Sequence, residues 1–149
     1  MRKSGFTLAE LVTVLAIAAV IAVFAAPRLV GTFASTRGFY DQLISQLTYA
    51  RKAAIAQRRQ ICAQITSAQS SLVYGGASCS AIAVVGPAGS AFTLSVPSGV
   101  AVTNATFQFD ALGRYLDSGG VLATSNLSIA VSGDGSYTIT VERDTGYVH

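Results

Sequence analysis

Charge is scarce in this chain. Asp, Glu, Lys and Arg make up only 11% of its 149 residues, against 51% apolar residues. That is low for a freely soluble domain and ordinary for one small domain carrying a long lipid-facing helix, so the net charge of +3 is no argument for nucleic acid. Histidine is nearly absent: the only one is the terminal His149, and no Ser or Cys motif surrounds a nucleophile. Acid–base and covalent catalysis therefore find no support, and the chain reads as a non-enzyme. It lacks Walker and dinucleotide glycine patterns, and Gly133-Asp134-Gly135 between two alternating runs reads as a hairpin turn, not a phosphate loop. Asp110, Asp117 and Asp134 are too scattered for a calcium site, so no metal and no cofactor is expected.

What is abundant comes first in the chain. Arg2 and Lys3 precede Gly5, and residues 6–26 form a run of 21 with a single ionisable side chain, Glu10. As a helix this run would be about 31 Å long, enough to cross a bilayer's hydrocarbon. A carboxylate there costs about 2.5–3.5 kcal/mol by insertion scales, so it demands a partner. Cutting after Gly5 would manufacture one, the new α-amino group of Phe6, able to pair with Glu10 of a neighbouring copy. Gly5 suits such a cut because it lets the chain lie extended without side-chain obstruction. An ordinary secretory signal has a shorter apolar segment; Val23-Phe24-Ala25-Ala26 imitates its cleavage site, but the run is long, holds Glu10, and is followed by Pro27.

Gly5, Phe6, Thr7, Leu8, Ala9 and Glu10 behind a short basic leader, with Leu11 and Val12 opening the apolar run, resemble the N-terminus of type IV prepilins and type II secretion pseudopilins. The resemblance implies cleavage between Gly5 and Phe6 by a prepilin peptidase, N-methylation of Phe6, and packing of mature subunits into a filament with other pilins or pseudopilins. It also implies residence in the bacterial inner membrane as a single-pass protein before assembly, and then in a periplasmic or extracellular filament. The corresponding division is a leader at 1–5, a transmembrane and polymerisation helix at 6–30, and a periplasmic globular domain at 31–149 that includes the amphipathic half of the helix.

Pro27 predicts a kink or local melting near residues 22–27. Beyond Gly38 the pattern turns amphipathic: Phe39, Tyr40, Leu43, Leu47, Ala50 and Ala54 share one face, and the helix is predicted to end near Arg59. From Gln60 the period becomes two, with Ile61-Ala63-Ile65, Phe92-Leu94-Val96, Phe107-Phe109, Leu127-Ile129-Val131 and Tyr137-Ile139-Val141 reading as half-buried antiparallel strands. Gly75-Gly76, Gly86-Pro87, Gly119-Gly120 and the 133–135 turn separate them, the last with glycines suited to positive φ. The fold class is therefore α+β, a long N-terminal helix whose second half packs on a small antiparallel sheet, which is also the type IV pilin architecture. Two cysteines, Cys62 and Cys79, follow the membrane segment; exported to an oxidising space an even count reads as a disulfide, with two buried thiols as the alternative, and the spacing is not that of a zinc site.

Three later stretches are similar to the minor pilins and pseudopilins of the GspH/FimT group: Tyr49 through Arg59, Phe109-Asp110-Ala111-Leu112-Gly113-Arg114, and Tyr137 to Val141 with Thr145-Gly146-Tyr147-Val148-His149. In the second, the expected parts are a core anchor, a tight turn needing Gly113, and an exposed cation. Gly38 to Leu43 and Gln57 to Cys62 are also similar to a minor pilin of the mannose-sensitive haemagglutinin (MSHA) pilus. The resemblance implies a place at or near the filament tip, initiating or capping assembly, with a type II secretion role as the alternative. Some FimT-like relatives capture DNA through C-terminal arginines; here Gly146 is followed by Tyr147, Val148 and His149, and the remaining cluster is Arg51, Lys52, Arg58 and Arg59, a possible nucleic-acid or subunit contact. Residues 6–69 carry six basic against two acidic side chains and residues 70–149 two basic against five acidic, so a basic helix and an acidic end are expected to attract one another between stacked subunits.

Overall fold

The computed structural model describes the backbone of residues 8–149 and the side chains of residues 8–20 and 35–149. The leader, Gly5 and Phe6 lie outside the described residues. One helix, α1, runs over Leu8–Gln57 without interruption. The melting expected around Pro27 is not observed: proline's fixed φ is itself helical, and deleting one N–H leaves the bonds of the flanking turns to hold the ladder. Among the described residues no helix is long and apolar enough to cross a membrane. The 6–26 run extends past its described side chains at both ends.

α1 stops two residues before Arg59, and the stop has a local cause. Arg58 takes the left-handed φ of 50°, its N–H donates to Ile55 O, and Arg59 N–H donates to Ala54 O. This is the paired closure that usually places glycine at the left-handed position, with an arginine there instead. The helix face predicted from the sequence is the buried one. Phe39, Leu43, Leu47, Ala50 and Ala54 are buried and Tyr40 is half-buried, and Thr36, Gln46 and Ala53 join them. Burying a Leu- or Phe-sized side chain contributes about 1.5–3 kcal/mol, so this stripe dominates the joint between helix and sheet.

Eight strands follow: β1 Ile61–Ile65, β2 Gln69–Tyr74, β3 Thr93–Ser95, β4 Ala101–Val102, β5 Ala105–Phe109, β6 Tyr115–Leu116, β7 Leu127–Ser132 and β8 Ser136–Val141. They form two sheets, one ordered β3-β2-β1-β5-β6 and one ordered β4-β7-β8, and every pairing is antiparallel. β2, β4 and β6 had no counterpart among the sequence-predicted runs. The helix-facing layer of the first sheet is Ile61, Ala63, Ile65, Leu72, Phe107 and Phe109, and Ile129, Val131, Ile139 and Val141 extend it from the second. Gln46 is buried within this layer, where it accepts a 2.6 Å hydrogen bond from Ser70 Oγ and donates a 3.0 Å bond to Phe92 O.

The hairpin between β7 and β8 turns through residues 133–135, with Ser132 paired to Ser136. Neither Gly133 nor Gly135 has positive φ; Gly133 is needed for space, because a Cβ there would overlap Thr36 Oγ1 on the helix. Strand β1 departs from the expected alternation in that Cys62, on the face away from the helix, is as buried as Ile61 and Ala63. Loops cover part of that outer face, and Cys62 is joined to Cys79 in one of them by a disulfide with Cα atoms 5.6 Å apart. A left-handed non-glycine residue costs about 1–2 kcal/mol and glycine forfeits part of that through chain entropy, so Arg58→Gly is expected to stabilise the domain by about 0.5–1 kcal/mol. A thermal melt checks it: an unchanged or lowered midpoint means that the Arg58 side chain contributes more than its backbone costs.

Candidate functional site

Two regions carry the residues singled out from the sequence. The first is the start of α1. Glu10 lies in its first turn, where the positive end of the helix dipole favours a carboxylate. Thr13 Oγ1 lies 3.1 Å from Ala9 O and 2.9 Å from Glu10 O, folding its hydroxyl back onto the helix so that it adds no polar surface. Around them Leu8, Leu11, Val12, Val14, Leu15, Ile17 and Val20 are between 55% and 83% exposed. At 100° per residue these seven point in every direction, and among the described residues nothing covers them. A helix that is apolar all round is stable only inside protein or lipid.

The second region is where the three later motifs meet. Asp110, at the end of β5, accepts hydrogen bonds at Oδ1 from the Leu112 and Arg114 amides (2.9 and 2.8 Å) and at Oδ2 from Arg114 Nε and Nη2 (2.8 and 2.7 Å). One carboxylate thus fixes the whole turn, and the expected exposed cation is half-exposed, with two of its nitrogens on the single oxygen Oδ2. Gly113 has φ +80°, and a Cβ on it would lie 2.7 Å from Ile55 Cδ1 of the helix. Arg51 Nε donates to Gly113 O at 3.3 Å. From the other side Gly146, at φ +62°, presses on the same carbonyl: a Cβ there would overlap Gly113 O. The tail then pairs with β8 through reciprocal bonds between Thr140 and His149 of 2.7 and 3.0 Å, burying Val148. Phe109 anchors the junction with no exposure.

The acidic end is less free than the sequence suggested. Asp110 is spent on Arg114, and Asp144 faces Arg143 through two bonds of 2.9 and 3.0 Å. That hydrogen bonding, with the adjacent guanidinium charge, holds the Asp144 carboxyl below its ordinary range. Glu142 accepts from the Thr145 hydroxyl and lies 3.8 Å from His149 Nε2. Two of the five acids at this end, Asp110 and Asp144, are thus paired with arginines of the same domain. Of the cationic cluster, Arg51 is engaged with Gly113 O, and Arg59 stacks on the Tyr74 ring at 4.1 Å while the Tyr74 hydroxyl donates to Gln57 Oε1. Lys52 and Arg58 are exposed and, among the described residues, form no ion pair.

Sequence reasoning missed the buried amides of Gln46 and Gln108. Each occupies a position where a polar residue reads as solvent-facing, and no periodicity distinguishes a buried glutamine from an exposed one.

Residues 1–26 match the sequence family described as the prokaryotic N-terminal methylation motif. No curated protein sequence matches the chain. Its fold is similar to that of the type IV minor pilin FimU of Pseudomonas aeruginosa PAO1. The crystal form in P21 gives a TM-score of 0.57 at 19% identity, over 76% of this chain and 85% of that one. The form in P65 gives 0.56 at 19% identity, over 76% and 90%. The motif implies a membrane-anchored precursor of the prepilin type. With a prokaryotic N-terminal methylation motif over residues 1–26 and a helix whose second half packs on antiparallel sheets, the chain has a prepilin-type N-terminus and a fold similar to that of a type IV minor pilin.

Proposed function

We propose that the chain is a structural subunit cut between Gly5 and Phe6 by a prepilin peptidase, methylated at Phe6, and polymerised with other pilins through residues 6–30. In this reading 1–5 is the leader and 31–149 the domain displayed outside the inner membrane. The observation that carries it is the shaft of exposed apolar residues around Glu10, within the matched residues 1–26. Lipid covers that shaft before assembly and neighbouring helices cover it afterwards. Glu10 then meets the Phe6 amino group of an adjacent subunit, so that the carboxylate is buried as one half of an ion pair.

A role in a pilus is favoured over type II secretion because the structural relatives named above are type IV minor pilins, and the stretches at Gly38 to Leu43 and Gln57 to Cys62 favour an MSHA-like system. The position proposed is at or near the tip, starting or capping the filament. DNA capture is not adopted, since no arginines follow Gly146, Arg51 donates to Gly113 O and Arg59 stacks on Tyr74.

Intact mass of protein from its native host is expected to show the loss of the first five residues, one added methyl group, and two hydrogens fewer than the dithiol form. A chain still beginning at Met1, or beginning beyond Ala25, overturns the processing. Glu10→Ala is expected to insert into membrane at least as well as wild type, because it removes a charge that lipid disfavours, yet to enter filaments at least about tenfold less. Incorporation at the normal level would falsify the pairing.

A further inference from the structure

The outer face of the first sheet, away from α1, carries a buried row that the helix does not cover. The register aligns Val73, Cys62, Gln108 and Leu116 across β2, β1, β5 and β6. Their exposures are 8%, 0%, 0% and 3%. None of the four is part of the helix-facing core. The next row, through Ser71, Gln64 and Thr106, is open to solvent to varying degrees. Something specific therefore covers this one row, and the hydrogen bonds identify it.

Gln108 Oε1 accepts from Gly76 N at 2.9 Å, while its Nε2 donates to Gly76 O and to Ser118 O, each at 3.0 Å. The amide thus ties the loop after β2 and the loop after β6 to the sheet. The Cys62–Cys79 disulfide ties the first of these loops again, one strand away. The loops also touch each other without room for a side chain: a Cβ on Gly120 would lie 2.5 Å from Gly76 O, and one on Gly75 would overlap Gln108 Oε1. Asp117 Oδ1 caps the second loop from within, accepting from Gly119 N and Val121 N at 2.9 Å each.

We propose that residues 75–82 and 117–122 form a cap held by two locks, the Cys62–Cys79 disulfide and the Gln108 amide, and that the disulfide makes the cap conditional on an oxidising compartment. Reduction by a dithiol takes up two electrons and two protons, breaks the sulfur–sulfur bond, leaves Cys62 and Cys79 as thiols, and converts the reagent to its own disulfide. Of the two locks on the outer row only the amide then remains, beside the backbone bonds from Gly75 N to Gln60 O and from Tyr74 N to Ile82 O that hold the ends of the first loop. Opening the cap leaves the opposite face of the sheet untouched, because Phe107, Phe109, Ile61 and Ala63 pack on the helix side. The cap is therefore a local unit and not part of the global fold.

Hydrogen exchange on the full chain in detergent, with and without dithiothreitol, tests this, with thiol content followed by mass. Reduction is expected to speed exchange at least about tenfold in 75–82 and 117–122 and to leave β7, β8 and residues 39–54 of α1 unchanged. Gln108→Ala, kept oxidised, is expected to open 117–122 while the tethered 75–82 loop opens less, and to speed reduction of the disulfide. Three results overturn the proposal: equal acceleration across the whole domain, no change after complete reduction, or a disulfide that resists dithiothreitol until the helix–sheet core itself unfolds.

Discussion

The contact between the second half of α1 and the inner layer of the sheets governs this molecule. Leu43, Leu47, Ala50 and Ala54 are fully buried against Ile61, Ala63, Phe107 and Phe109, with Ile129 and Ile139 closing the layer from the second sheet. Small residues at positions 50, 53 and 54 bring the helix backbone close to the sheet where the chain must turn back into β1. The same contact fixes where the helix can end. Arg58 turns left-handed there because the next residues have to enter the central strand of a five-stranded sheet.

That anchoring divides one continuous helix into two physical environments. Residues 36–54 have a buried face provided by their own chain, so their apolar residues recur at helical spacing. Residues 8–20 have no such provision and are apolar on all sides. Whatever covers the first part has to come from outside the chain, first lipid and then other subunits in the proposed function. Because the helix is continuous over Leu8–Gln57, its apolar first part is joined to the sheets through the stripe from Phe39 to Ala54.

Polar groups organise the distal parts that the apolar core does not reach. A single carboxylate, Asp110, fixes the turn on which the helix and the C-terminal tail converge, and Gly113 and Gly146 supply the clearance and the left-handed backbone that this convergence requires. On the other face of the sheet one amide, Gln108, performs the equivalent task for two loops. Both arrangements use a side chain whose acceptors or donors are fully satisfied, which is the condition for burying polar groups without a large penalty.

The sequence by itself determined the prepilin-type N-terminus, the apolar shaft with its single acid, the helix face that packs, and the strands with clear alternation, since each depends only on spacing along the chain. The tertiary structure alone decided that the strands divide into two sheets, that β2, β4 and β6 exist, and that Cys62 lies against Cys79. It alone showed that Arg51 reaches Gly113 O and that Arg59, at the surface, stacks on Tyr74. β2 carries Ser70 on the helix-facing side, where a strand pattern calls for an apolar residue, and its hydroxyl is received by Gln46, 24 residues earlier in the chain. Such partners are distant in sequence and adjacent in space, so their pairing is a property of the folded chain that no local period records.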